Sequence, residues 1–260
     1  MRHLSAELRK LVSLRASLVA AGLCFVAAPA IAALNGNSLR TRLAAGDTSL
    51  LDHRAVAEGG FEAVMFAVIA GIVLGVVIMS SEYTANAGDV GGGRQILATL
   101  TSVPRRGSLL VAKAGALTLV TVLLSSATIF TGIAVGQALL GQFGRSPWQV
   151  VGELGWRLPG AVFYCVCTAL IAFAVTTITR SGVVPLIVLI VNGSLVSVSL
   201  LLSKVTSWAK FLPDAAGMPL FARGTAFTEQ LPPVVGAIVL TAWTVLGLVV
   251  GVVTFVRRDA

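Results

Sequence analysis

The chain has 260 residues, of which 56% are hydrophobic and only 12% charged. Soluble domains run at about 45–50% apolar and about 25% charged, so this chain has too little charge to cover a water-facing surface and reads as a membrane protein. Its formal net charge of +8 is scattered between apolar runs rather than gathered into a basic patch with interleaved aromatics, which argues against a nucleic-acid partner.

At the start of the chain, Leu4, Leu8, Leu11 and Val12 share one helical face, while Arg2, Arg9 and Lys10 fall mostly elsewhere. That pattern predicts an amphipathic helix over residues 1–15, lying in the membrane interface and in contact with lipid. A bilayer core of about 30 Å takes about 20 apolar residues in helix. Six stretches qualify: Ala16–Leu34, Phe61–Ser80, Leu109–Leu140, Pro159–Ile178, Val183–Leu202 and Pro233–Val256. The basic start and the Ala30–Ile31–Ala32 sequence have the look of a secretory signal. The first apolar run is nevertheless longer than a signal's core of about 7–15 residues, so it is expected to remain as the first span. Uninterrupted apolar runs call for helix rather than the alternating strands of a barrel. The expected fold is an all-α membrane protein with a single permease-like domain over residues 1–260.

Six spans place both termini on one side. Eleven of the 19 Lys and Arg residues then fall on that side and eight on the other, where seven of the 11 acids accompany them. Lys and Arg set orientation, so both termini are expected in the cytoplasm and the protein in the cell membrane. Lys113, in the first turns of the third span, is expected to reach back to the interface. The outer segments Asn35–Gly60, Gly141–Leu158 and Ser203–Pro232 read as loops. The last of these mixes Trp208, Phe211, Phe221 and Phe227 with prolines, and predicts short helices at the outer membrane surface. Inside, Thr179–Gly182 is a tight link that makes the fourth and fifth spans a hairpin.

The spans carry little that suggests chemistry. They lack His, paired acids and any carboxylate in their middle third, so intramembrane catalysis has neither nucleophile–base pair nor metal ligands. Cys24, Cys165 and Cys167 lie in apolar runs; residues two apart on a helix diverge, so they read as small core residues. Ion-coupled transport ordinarily shows charged groups near the midplane, and these spans have none. The candidate pathway groups are the hydroxyls Thr121, Ser125 and Thr128 and the deep Asn192, each of which serves equally well in helix packing. Gly71–Gly75, Gly132–Gly136 and Gly247–Gly251 are GxxxG pairs that favour close helix approach, within the chain or between copies.

The polar insert Ser81–Gly107 is more informative. It begins with Ser81, Glu82 and Tyr83, passes a glycine-rich stretch at Gly88–Gly93, and continues as RQILATLTS, Arg94–Ser102. Ile96, Leu97 and Leu100 form a short apolar stripe there. Pro104 stops the helix, and Arg105–Arg106 face the anionic inner leaflet. A short helix with an exposed apolar stripe at the cytoplasmic face suits a groove on another protein.

SAELRKLVSLRAS at Ser5–Ser17, SSEY at Ser80–Tyr83, GGRQILATLTSVPRRGSLLVAKA at Gly92–Ala114 and FLPDAAG at Phe211–Gly217 resemble the ABC type-2 permease family, the six-span membrane subunits of ATP-binding-cassette exporters. The resemblance implies that the amphipathic N-terminal helix lies along the inner membrane surface. It also implies that Arg94–Ser102 is a cytoplasmic coupling helix docked on a separate ATPase subunit, with Glu82 and Tyr83 close to that contact. Arg94, Ile96, Leu97 and Leu100 are the coupling residues so implied. Ala85–Gly91 departs from the family pattern as an insertion. The chain has no ATP site of its own, since a P-loop needs Gly-Lys followed by Ser or Thr and its four lysines follow Arg, Ala, Ser and Ala. It is therefore expected to be no enzyme and to hold no cofactor, ATP-Mg being bound by a cytoplasmic ABC ATPase partner. A second permease subunit, identical or not, would complete a dimer that exports an amphiphilic drug, peptide or lipid. The alternative is an ATP-independent transporter or a membrane scaffold.

Overall fold

Each regular element is a helix, and the longest ones follow from apolar composition alone. The computed structural model describes residues 2–46, 56–83, 106–194, 198–223 and 229–258. In chain order the helices are α1 (Arg2–Ser13), α2 (Arg15–Ala44), α3 (Ala63–Tyr83), α4 (Arg106–Leu140), α5 (Pro147–Leu154), α6 (Arg157–Thr179), α7 (Val183–Ser194), α8 (Val198–Ser203), α9 (Pro213–Gly217) and α10 (Pro233–Arg258). Among the described residues there is no strand. Five helices, α2, α3, α4, α6 and α10, are long and apolar enough to cross a membrane, so the chain is an all-helical, multi-pass membrane protein. The expected span Val183–Leu202 falls on α7 and α8, which lie either side of residues 195–197. The segment Arg94–Ser102 lies outside the described residues, and with it Arg94, Ile96, Leu97 and Leu100.

The centre of the bundle is α3, which packs against α2, α4, α6 and α7, while α10 packs on the other side of α6. Small residues make this possible. Gly71 of α3 sits over the Cys165 carbonyl of α6, and a side chain at Gly75 would run into the Ala169 carbonyl. Gly136 of α4 meets Gly60, where an added Cβ would lie 2.8 Å from the Gly60 Cα. Gly247 and Gly251 of α10 face Ala174 of α6. All three GxxxG pairs are thus used in packing within the chain.

Three local departures from expectation have clear causes. First, α2 continues ten residues beyond Leu34 to Ala44, through a polar stretch expected as loop. Gly36 lets the helix approach the Gly136 carbonyl of α4, and Leu43 then packs with Val56 and Leu140. Tertiary contact outweighs the weak helix preference of Asn35, Asn37 and Ser38.

Second, the segment expected to rest on the outer surface forms short helices but dips inward. Ala215, Ala216 and Gly217 are buried against Tyr164 of α6 and Gly236 of α10, because residues this small fit where helices nearly touch. Trp208 stays exposed and packs on Phe211, their ring centroids 5.9 Å apart.

Third, the inward face of α1 keeps the expected Leu4, Leu8 and Leu11 but takes Glu7 in place of Val12. Leu11 is fully buried and Val12 is 56% exposed, while Glu7 takes an inward position beside Leu4, Leu8 and Leu11. Spacings of three, four and seven residues put these four on one face.

Candidate functional site

The strongest concentration of chemistry lies at the end of the bundle carrying α1, hereafter the near end. There the last turn of α3 presents Glu82, the second turn of α4 presents Lys113, and α1 presents Glu7 and Lys10. Lys113 is completely buried, and its ammonium donates to Glu82 Oε1 and to Glu7 Oε2, both at 2.7 Å. Lys10 donates to the same Glu82 oxygen. Glu82 is 1% exposed. Among these four side chains, two carboxylates face two ammonium groups. This is how such a site tolerates burial, since each ion finds the opposite charge that replaces its lost hydration.

The sequence expectation places Lys113 at the interface, and the structure buries its ammonium beneath α1. Its aliphatic stem does not carry the ammonium out to water, because α1 folds across the near end and brings Glu7 to it. Below the ions lies an apolar layer in which Leu11 of α1 packs with Met79 of α3, Leu110 and Leu117 of α4, and Phe255 of α10. That layer separates the charges from the middle of the bundle. Glu82 was singled out in the sequence as a coupling residue; its cations Lys10 and Lys113, and Glu7 on the other side of Lys113, were not joined to it there. The available signal was an acid at position 7 on the apolar face of an amphipathic helix, together with an acid and a lysine at the adjoining ends of two spans. Tyr83 closes α3 and is half-buried beside the same apolar layer.

The candidate pathway hydroxyls lie inside the chain's own packing. Thr121, Ser125 and Thr128 are all buried. Ser125 Oγ donates to the Thr121 carbonyl and Thr128 Oγ1 to the Leu124 carbonyl, each at 2.7 Å. Thr121 Oγ1 has no hydrogen-bond partner among the described residues, and its methyl group is packed beside Gly71 of α3. Asn192 is a residue of α7, with its side chain outside the described set.

A second ionic lock, unforeseen in the sequence, holds the far end. Arg157, at the start of α6, is nearly buried. It donates through Nε to the Phe221 carbonyl and through a terminal nitrogen to Glu58, both at 2.6 Å, with its guanidinium 5.1 Å from the centre of the Phe61 ring. Nearby, the Gln137 amide of α4 donates to the Val56 and Gly59 carbonyls at 2.8 and 3.1 Å and accepts from the Arg145 backbone at 3.0 Å. These bonds pin the segment before α3 onto the end of α4.

Compared with known proteins, the chain matches no family model, and no curated protein matches it at a significant level.

Proposed function

We propose that the chain is the membrane-spanning permease subunit of an ATP-driven ABC exporter. In this reading α7 and α8 complete a sixth span, both termini and the near end face the cytoplasm, and residues 84–105 bear a coupling helix that docks on a separate ATPase subunit. A second permease subunit, identical or different, completes the transporter. The nearly charge-free spans suit an amphiphilic cargo better than a hydrophilic one.

The observation that carries the proposal is the buried cluster at the root of that insert. Glu82 lies two residues before residue 84, and Lys113 joins it to both α1 and α4. A push delivered to the insert would reach a point where three helices are joined by charged hydrogen bonds, which are about twice as strong as neutral ones. Transmission of force needs such a rigid root; a loop attached to a single free helix end would absorb the push. Lys and Arg predominance on the α1 side supports the orientation.

The test is co-purification in nanodiscs of this chain with the ATPase encoded beside its gene, wild type against Leu97→Asp. A complex that hydrolyses ATP, and is lost in the variant while the chain stays folded, is the expected result. Full complex formation and activity with the stripe broken would refute the coupling role, and a chain that purifies alone as a folded oligomer and binds no candidate ATPase would return the ATP-independent transporter or scaffold to first place.

A further inference from the structure

An apolar groove of about 570 Å³ runs between α4 and α6 from the middle of the bundle towards its far end. Along α4 it extends from Thr118 to Ile133, a length of about 22 Å at the helical rise of 1.5 Å per residue. Val162 and Phe163 of α6 form the opposite wall, and Val151 of α5 reaches the groove from the far end. Two of its lining residues carry hydroxyls. One of them, Thr118, already donates to the Ala114 carbonyl of its own helix at 2.8 Å. The groove therefore has almost nothing to offer a polar ligand.

We propose that this groove is a lipid site that takes one acyl chain of a membrane phospholipid. Its volume spread over about 22 Å gives a mean cross-section of about 26 Å², or about 5–6 Å across. With carbon–carbon contacts at about 3.5–4.0 Å, that bore admits a single file of methylenes. Both walls belong to spans, so the surrounding solvent is hydrocarbon, and a chain enters without leaving an apolar medium. An empty groove would instead forfeit the dispersion contacts of its lining.

The far end of the groove places the headgroup. Trp148 of α5 packs on Phe130 of the groove, ring centroids 6.5 Å apart, and is itself largely exposed. An exposed tryptophan at the end of a span belongs at the headgroup level. Arg145 and Glu153 of that region are paired with each other, and Arg157, which precedes Leu158, is paired with Glu58. The lining of the groove itself is apolar, so the site selects for a chain and not for a headgroup. This inference needs only membrane residence and is independent of any ATPase.

The experiment is photo-crosslinking of the full chain in nanodiscs containing phosphatidylcholine or phosphatidylglycerol with a diazirine near the chain end, mapped by mass spectrometry. The expected result is labelling concentrated on Val122–Ile133 and Leu158–Val166, above that on the more exposed stripe Val183–Val188, and alike for both headgroups. Val162→Trp, which fills the groove, and Ser126→Phe, at an exposed groove position, should each reduce groove labelling to the level of the stripe while leaving the stripe unchanged. If either variant disturbs the stripe, the wild-type distribution alone decides. Equal labelling of groove and stripe in the wild type would overturn the proposal. So would an unlabelled groove with Ser126→Cys forming a disulfide between two copies, which would make the occupant a second chain.

Discussion

Replacing Lys113 by Met keeps much of the side-chain volume and removes the charge that joins α1, α3 and α4. Glu7 would lose its only partner among the described residues, and Glu82 would keep Lys10. Removing one member of a buried ion pair costs about 3–5 kcal/mol, most of it the penalty of the charge left behind. The Glu7 side chain retains 10% exposure and so has a route to a proton or to water, which places the expected loss near the lower end, about 3 kcal/mol. In a chain of this size that corresponds to a fall in Tm of about 6–12 °C. Lys10→Met should cost about 1 kcal/mol or less, because the Lys10 side chain is 25% exposed and Lys113 still neutralises Glu82. Adding Glu7→Gln to Lys113→Met removes the stranded charge, so the double variant should be more stable than the sum of the single losses by about 0.5–3 kcal/mol. The assay is unfolding by heat or by sodium dodecyl sulfate titration in one fixed mixed-micelle system. A Lys113→Met loss below about 1 kcal/mol, or one no larger than that of Lys10→Met, would refute the view that this cluster joins the three helices.

Two further substitutions probe the packing and the far end. Gly75→Val drives a side chain into the Ala169 carbonyl of α6 and should destabilise the chain by about 1–3 kcal/mol or more, whereas Gly22→Ala, with nothing within 4 Å, should melt with the wild type; equal melting of both variants would sink this reading of the α3–α6 contact. Gln137→Leu leaves the Gly59 carbonyl and the Arg145 amide without their bonds to Gln137 and the Val56 carbonyl with the Gly59 amide as its donor, at about 1–3 kcal/mol for each group left unpaired that finds no water; limited proteolysis should then cut near Val56–Gly60, and unchanged resistance would show that the side-chain amide is not what pins this segment.

What could be read from the sequence was what depends on one segment at a time. Apolar length alone placed α2, α3, α4, α6 and α10, and leucine spacing placed α1. What could not be read depends on segments meeting. Lys113 looks like an interfacial lysine until α1, about a hundred residues earlier, lays Glu7 beside it. Asn35–Ala44 looks like loop until Gly36 finds the Gly136 carbonyl. Ala215–Gly217 looks like a surface turn until Tyr164 and Gly236 are seen to leave a gap of that size. The groove between α4 and α6 has no sequence signal, because it is a space between two spans and neither span alone defines it. Glu82 was found because the stretch around it resembled a family pattern, yet its burial and its two cations come from contacts that the pattern does not contain.

The placement of polar groups along the bundle is the consequence that bears most on function. Ion pairs occur near the two ends, the buried Glu82 with Lys113 and the partly exposed Glu58 with the buried Arg157. Between them, Ser125, Thr128, Thr176 and Thr244 bond back to carbonyls of their own helices. A hydroxyl used in this way makes no demand on a neighbouring helix, so contact in the middle is made by glycine, alanine and apolar side chains, which have no preferred direction. Directional bonds tie α3 to α4 at the near end through Lys113. At the far end Gln137 of α4 holds the segment that leads into α3. These two helices therefore share fixed points at both ends, with α1 joined at one of them and Arg157 of α6 at the other. A force entering at the root of residues 84–105 would act on α1, α3 and α4 as one body, and Lys113→Met would free α4 from it while Lys10 still holds α1 to α3.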